Sequence, residues 1–366
     1  MQNTHLNWKQ FLNRPEISFD GDAIQRAFKG SRVLITGAGG CIGSALAKQC
    51  AKLPIESVAL LDSSEKSIYD LDRDLIEIGS ELPRTCIVGD ICDQALLEET
   101  FAVSRPDVVF HAAACKHVPL MEKNPFTAAR TNAVGTQRVA ATAARHRVEQ
   151  FILLSTDKAV EPTSIMGATK RIAELIVLAN TSRTQMKAVR LGNVLGSSGS
   201  VVPLFLNQIA NGGPVTVTHP DATRYFITLD ESVSLLLSAV LDPQNAVLLI
   251  TEPGEPRRIE ELARFVIAKS SSEISIAFTE LRPGDKLHEH MTSGREVTKS
   301  PRGILQTVRS PAATENALRQ TLQKITKSIH ERDLEVLLQT ICSIVPEYNP
   351  GAWLQSQAET LRRELR

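Results

Sequence analysis

The stretch VLITGAGGCIG, residues 33–43, decides the fold of this chain. Residues 33–36 are apolar or β-branched without interruption, as a strand covered on both faces requires, and Gly37, Gly40 and Gly43 follow at three-residue intervals. Those glycines let the turn close, let backbone N–H groups of the segment holding Cys41 and Ile42 approach an anion, and let the helical pattern 42–53 pack on the strand. Glycine patterns alone occur in many surface turns. Here a strand precedes, a helix follows, and a second strand ends at Asp62, nineteen residues beyond Gly43, which together read as a cradle for a dinucleotide. Asp62 can accept both ribose hydroxyls and its charge repels a 2′-phosphate, so NAD is favoured; Lys66 is near enough to offset that charge, which keeps NADP open.

Outward from this unit the same alternation continues. Runs at 58–62, 85–88, 108–111, 151–155 and 188–191 read as buried parallel strands, and helical patterns such as 132–147 and 164–180 separate them. The expectation is an α/β fold with a doubly wound parallel sheet. Gly89-Asp90-Ile91 closes the third strand, where a carboxylate beside a backbone amide can meet an adenine edge; a plain turn aspartate is the competing reading. Small residues from Ala112 to Ala114 end the fourth strand and clear a floor for a cofactor. Four segments are expected: a short docking helix around Trp8, Phe11 and Leu12 with a linker (1–30), the dinucleotide-binding domain (31–195), a smaller substrate-facing subdomain interleaved with it (196–310), and C-terminal helices (311–366). Within the last, 311–345 reads as two amphipathic helices that pack or pair subunits, so a homo-oligomer is expected.

Composition narrows the function. Lys plus Arg and Asp plus Glu both number 41 in 366 residues, so no net field draws nucleic acid or an anionic membrane, and any anion site is local. The six cysteines form no CxxC pair, and neither a metal site nor a disulfide framework is expected. No apolar run reaches the eighteen residues of a membrane span and no export signal opens the chain, so the expectation is a soluble, cytoplasmic protein.

At the carboxyl end of the fifth strand, Ser155-Thr156-Asp157-Lys158 bring a hydroxyl, a carboxylate and an amine together, and Met166 and Lys170 share one face of the next helix at i and i+4. Thr156, position 166 and Lys170 have the spacing of the catalytic Ser/Thr, Tyr and Lys of the extended short-chain dehydrogenase/reductase family, which is Rossmann-type. The string STDKAVEPTSIMGATKR (155–171) resembles the polysaccharide-biosynthesis branch typified by UDP-N-acetylglucosamine 4,6-dehydratases. So do HAAACKHVPLMEKNP (111–125), RLGNVLGSSGSVVPLF (190–205), TRYFI (223–227) and RPGDKL (282–287). Two departures stand out: Met166 replaces the tyrosine of the wider family, as in some members of this branch, and the membrane block of many relatives is missing, as in a soluble form.

The resemblance implies a UDP-sugar substrate and an internal redox dehydration. With C4 oxidised, the C5 proton lies α to a ketone; a side-chain base takes it while an acid protonates the departing C6 hydroxyl, and the hydride returns to C6. By resemblance Lys158 is the base and Asp157 the acid, a division that could equally arise by sharing one proton. For the C4 hydroxyl proton, Lys170, Asp157 and a water through Thr156 stay open, and Lys170 also holds the nicotinamide ribose. Lys116, Asn193, Arg224 and Arg282 are the implied substrate-binding residues; surface salt bridges are the competing reading of the arginines. The rivals are a C4 or C5 epimerase, which has no need of the Asp157–Lys158 pair, and a non-catalytic dinucleotide-binding regulator, which only Met166 favours.

Overall fold

The computed structural model describes residues 6–17, 19–251, 254–270, 273–294, 296–298, 305–309 and 313–364. Its centre is a sheet in which β1 (Arg32–Thr36), β2 (Ser57–Asp62), β3 (Arg84–Val88), β4 (Val108–His111), β5 (Gln150–Thr156) and β6 (Gln185–Leu191) run parallel in the order β3-β2-β1-β4-β5-β6. Val33 pairs with Val58 on one side and Val108 on the other, so the strand order reverses at β1, the point where a doubly wound sheet opens a ligand crevice. The strand Val247–Thr251, buried at every position, extends the sheet in parallel beyond β6, and an antiparallel pair, Leu305–Arg309 and then Val297–Thr298 at the edge, closes that side. All three come from the segment expected to form the substrate-facing subdomain.

Helices cover both faces of the sheet. Leu34, Val109, Phe151 and Leu153 point to one core; Val33, Ile35, Phe110 and Ile152 point to the other, as the period of two demands. Four readings of the sequence need correction. β3 is not buried on both faces: Cys86 and Val88 are exposed because the strand order leaves β3 at the edge. The pattern at 132–147 is not one α-helix but a π-helical turn, Ala129–Gly135, followed by Thr136–Arg145. The dinucleotide helix, read as 42–53, runs from Cys41 to Cys50. The supposed linker holds a second helix, α2 (Gly21–Phe28), whose N-cap Asp20 accepts from the Ala23 N–H and whose Phe28 stacks on Phe110.

The first helix, α1 (Trp8–Leu12), sits against distant chain. Phe11 packs on Phe226 and Phe265 at centroid distances of 5.6 and 5.4 Å, in a third core with Phe205 and Leu262. Arg14 forks onto both oxygens of Glu231 at 2.6 and 3.0 Å. At the other end, Glu315–Glu331 and Leu334–Ile344 bury Leu322, Ile325, Leu337 and Ile341 in the main core of their own chain, and a further helix, Ala352–Glu364, follows them. Positions 311–312 of the expected helical segment lie outside the described residues. Among the described residues no helix is long and apolar enough to cross a membrane.

Candidate active site

The glycine turn delivers a bare helix terminus to the crevice. Gly37 adopts φ +70°, and a Cβ there would lie 2.5 Å from the Ala113 nitrogen; a Cβ on Gly43 would lie 2.1 Å from the Gly37 oxygen. Only glycine closes so tight a turn. The next helix, α3 (Cys41–Cys50), has Gly40 as its N-cap with no side chain bonded to it, so the first N–H groups point outward with the positive end of the helix dipole. Asp62 reaches over this loop, its two oxygens accepting from the Gly39 and Ser64 N–H groups at 3.0 and 2.9 Å. Lys66 turns away to pair with Asp70. This donor set fits a dinucleotide, with pyrophosphate on the helix terminus and ribose toward Asp62.

A cavity of about 540 Å³ runs from this cradle to the ends of β5 and β6. Gly37, Gly40, Cys41, Ile42, Gly43, Ala112, Lys116, Thr156, Lys158, Met166, Lys170 and Asn193 all line it, so residues from five separate stretches of sequence meet in one space. A larger groove of about 730 Å³ lies elsewhere, along the helix Glu315–Glu331, and holds none of the candidate residues. Among the described residues no cluster of His, Cys, Asp and Glu is placed to hold a metal, and all six cysteines are free thiols.

The reacting groups sit where β5 stops. Thr156 is followed by a tight 3-10 turn, Asp157–Ala159, which brings consecutive side chains together. Lys158 Nζ donates to Asp157 Oδ1 and to Asn193 Oδ1, each at 2.9 Å, and Thr156 Oγ1 donates to the same Asp157 oxygen at 2.9 Å. Asp157 is wholly buried behind them, and its Oδ2 has no hydrogen-bond partner. Burial pulls the Lys158 amine down, but the charges of Asp157 and Glu289 prevail and hold its pKa above the ordinary lysine value. Lys158 therefore rests as an ammonium rather than as a free base. Its neighbour Lys170 behaves oppositely: buried on the helix Ile165–Leu178, donating to the Leu154 carbonyl at 2.6 Å, it is pushed down to about 8 by burial, against the pull of Glu174. Met166, one turn earlier, is buried and lines the same wall.

Other candidates stand apart from the cavity. Asp90 is occupied by the Cys92 N–H at 2.8 Å and Arg130 at 2.6 Å, which outweigh its burial and lower its pKa, and Ile91 is buried against Gly135. Arg224 spends its guanidinium on the carbonyls of Thr223, Lys286 and Leu287, and Arg282 is exposed and paired with Asp285 at 2.8 Å. Neither arginine lines the cavity in this structure. Lys116 does, donating to the Ser198 carbonyl at 2.7 Å, and beside it the helix Val201–Ala210 opens with Ser200 as an N-cap whose buried hydroxyl has no partner. Sequence reasoning passed over two groups. Glu289 approaches Lys158 to 3.6 Å, and Glu174, beneath β5, accepts from Ser155 Oγ at 2.6 Å and from Arg190 through two bonds of 2.8 Å.

The family model described as "Polysaccharide biosynthesis protein" matches residues 33–305. The chain is 42% identical over 296 residues to the capsular polysaccharide biosynthesis protein CapD of Staphylococcus aureus, covering 79% of this chain and 49% of that protein; it thus spans about half the length of that curated relative. It is 33% identical over 283 residues to a UDP-glucose 4-epimerase of Rickettsia massiliae, covering 75% and 81% of the two chains. Among solved structures, Pen from Bacillus thuringiensis superposes with a TM-score of 0.71 at 29% identity, covering 78% of this chain and 90% of that one.

Proposed function

The chain belongs to the polysaccharide biosynthesis protein family, an extended short-chain dehydrogenase/reductase branch, and on that premise we propose that it dehydrates a UDP-N-acetylhexosamine, UDP-N-acetylglucosamine first among them, to a 4-keto-6-deoxy sugar. The reading rests on one observation: the ammonium of Lys158 faces the crevice 2.9 Å from a buried carboxylate, on a line of cavity that begins at a dinucleotide cradle. NAD is the cofactor this reading takes, held by Gly37, the α3 terminus and Asp62, and by Lys170 at the nicotinamide ribose. When bound, it would withdraw hydride from C4 and give it back to C6.

The chain's own groups supply the proton chemistry. Transfer of one proton from Lys158 to Asp157 across their hydrogen bond leaves an amine facing the sugar and a carboxylic acid behind it. The amine takes the C5 proton. Asp157 does not line the cavity, so its proton reaches the C6 oxygen through Thr156: Asp157 gives a proton to Oγ1 as Oγ1 gives its own to the leaving hydroxyl. Asn193 holds the Lys158 amine in reach throughout. Met166 offers no proton at the tyrosine position, which leaves Lys170, held near neutrality, as the titratable group on that helix face for the C4 hydroxyl. The uncapped helix at Ser200 and the Lys116 amine give the sugar's diphosphate a place to bind.

A C4 epimerase is the second reading, favoured by the Rickettsia relative. Incubation with UDP-N-acetylglucosamine in deuterated water, followed by NMR of the sugar, separates the two. A 4-keto-6-deoxy product with deuterium at C5 is expected; an intact C6 hydroxyl with inversion at C4 would replace dehydration by epimerisation.

A further inference from the structure

The segment from Arg282 to Met291 lies across the catalytic turn and is fastened to it from several sides. Lys286 Nζ donates to the Val160 carbonyl at 2.5 Å, and Thr163 Oγ1 donates to the Gly284 carbonyl at 3.1 Å. Arg224 grips the Lys286 and Leu287 carbonyls at 2.8 and 3.1 Å, while the Thr223 N–H donates to the same Leu287 oxygen at 3.0 Å and its hydroxyl meets His288 Nδ1 at 2.9 Å. So many fixed points leave the strap little freedom. What they aim inward is Glu289, only 4% exposed, with Oε1 3.6 Å from Lys158 Nζ, Oε2 3.3 Å from Lys286 Nζ, and no hydrogen-bond partner on Oε2. A buried carboxylate is costly unless cations face it, and here two do.

We propose that Glu289 is a positioning residue for the proton transfer described above: with Asp157 it holds the Lys158 ammonium between two carboxylates, and Lys286 divides its charge so that the proton can still leave. The inference rests on the dehydration reading for its role in turnover, but not for its electrostatics. The charged groups around Lys158 are Asp157 on its own turn, Glu289 and Lys286 on the strap, and Arg224 on the short strand Thr223–Arg224. The neighbouring helix presents Met166 and Lys170, the latter turned to Leu154. Of the charges, Asp157 and Glu289 favour the ammonium and Arg224 opposes it, as burial does. Removing Glu289's charge takes away one of the two favourable partners. Removing Lys286 frees Glu289 to act on Lys158 alone. The two changes push in opposite directions, which no loss of packing would do. The clamp by Arg224 thereby acquires a purpose: it sets the distance between Glu289 and the catalytic turn.

The test reads the Lys158 amine directly. The full chain and its Glu289→Gln, Glu289→Asp and Lys286→Met variants are labelled by acetic anhydride over a pH series, and the midpoint of Lys158 acylation is followed by mass spectrometry, with exposed Lys52 as reference. Glu289→Gln should lower the midpoint by about one unit, Glu289→Asp by less, and Lys286→Met should raise it. The pH profile of product formation should move with the midpoint. A midpoint unmoved in Glu289→Gln and Lys286→Met, or a rate lowered equally at every pH, overturns the proposal. If the midpoints move as stated while the unsubstituted protein forms no 4-keto-6-deoxy product, Glu289 keeps its role at the amine and the dehydration reading falls. Should Glu289→Gln not fold, the opposed shifts of Glu289→Asp and Lys286→Met decide.

Discussion

Replacing Arg190 by Met removes the centre of a buried charge cluster without opening a large void. Arg190 is fully buried; it bonds Glu174 twice at 2.8 Å, Glu296 at 2.7 and 2.8 Å, and the Met291 carbonyl at 2.9 Å. Burial raises the pKa of Glu174, but Arg190, Arg171 and Ser155 overcome it and hold the carboxyl at about 2. The drop from its ordinary 4.5 to about 2, at about 1.4 kcal/mol per unit, corresponds to about 3–4 kcal/mol of stability. Because the folded pKa is depressed, that contribution is complete above about pH 4.5 and drains away as pH falls toward 2. Breaking a buried pair costs about 3–5 kcal/mol, so Arg190→Met should lose that much at neutral pH and progressively less as pH falls toward 2. Urea unfolding across a pH series measures both. A loss under about 1 kcal/mol at neutral pH, or one that does not shrink in acid, would refute the reasoning, since it would mean that Glu174 does not depend on Arg190.

Two further outcomes follow from the cradle. Gly43→Ala places a methyl 2.1 Å from the Gly37 oxygen, so NAD affinity measured by calorimetry should fall at least about tenfold, and near-normal binding would show that the turn is not the pyrophosphate site. Asp62→Ala should weaken NAD and narrow its advantage over NADP, because the charge that repels a 2′-phosphate is gone; an unchanged ratio would remove Asp62 from ribose recognition.

Strands β1, β2 and β4 to β6 were legible because each contains a short, mainly apolar run of the kind that a doubly covered strand needs. The run VLLIT at 247–251 is just as apolar, but it follows the turn-forming Asp242-Pro243-Gln244-Asn245 and sits among residues read as an insertion, so its place in the same sheet went unseen. Helix α2 sets Ala23, Ile24, Ala27 and Phe28 at helical spacing behind the cap Asp20, so its signal was in the sequence and the reading of this stretch as a linker passed over it. The exposure of β3 was not written locally at all, since which strand lies at an edge depends on the order of all the others. The site divides in the same way. Gly37 to Gly43 and Thr156 to Lys170 are near neighbours in sequence, and a fixed spacing on a turn or helix carries them to one place. Glu289 and Lys158 are joined only by the fold. Arg224, which looked like an anion ligand, grips main-chain carbonyls, and no residue pattern distinguishes an arginine that binds phosphate from one that binds backbone.

The seating of α1 has a consequence for how the protein is made. Arg14 finds its carboxylate 217 positions downstream, and Phe11 closes on Phe226 and Phe265 in the same region. A ribosome adding roughly 5–20 residues per second needs on the order of ten to fifty seconds to travel from the one to the other. During that interval the six strands of the nucleotide-binding half can pair while the opening aromatic residues have nowhere to go. The segment that holds α1 is thus made well before its berth exists, and it arrives as a latch across a structure already built.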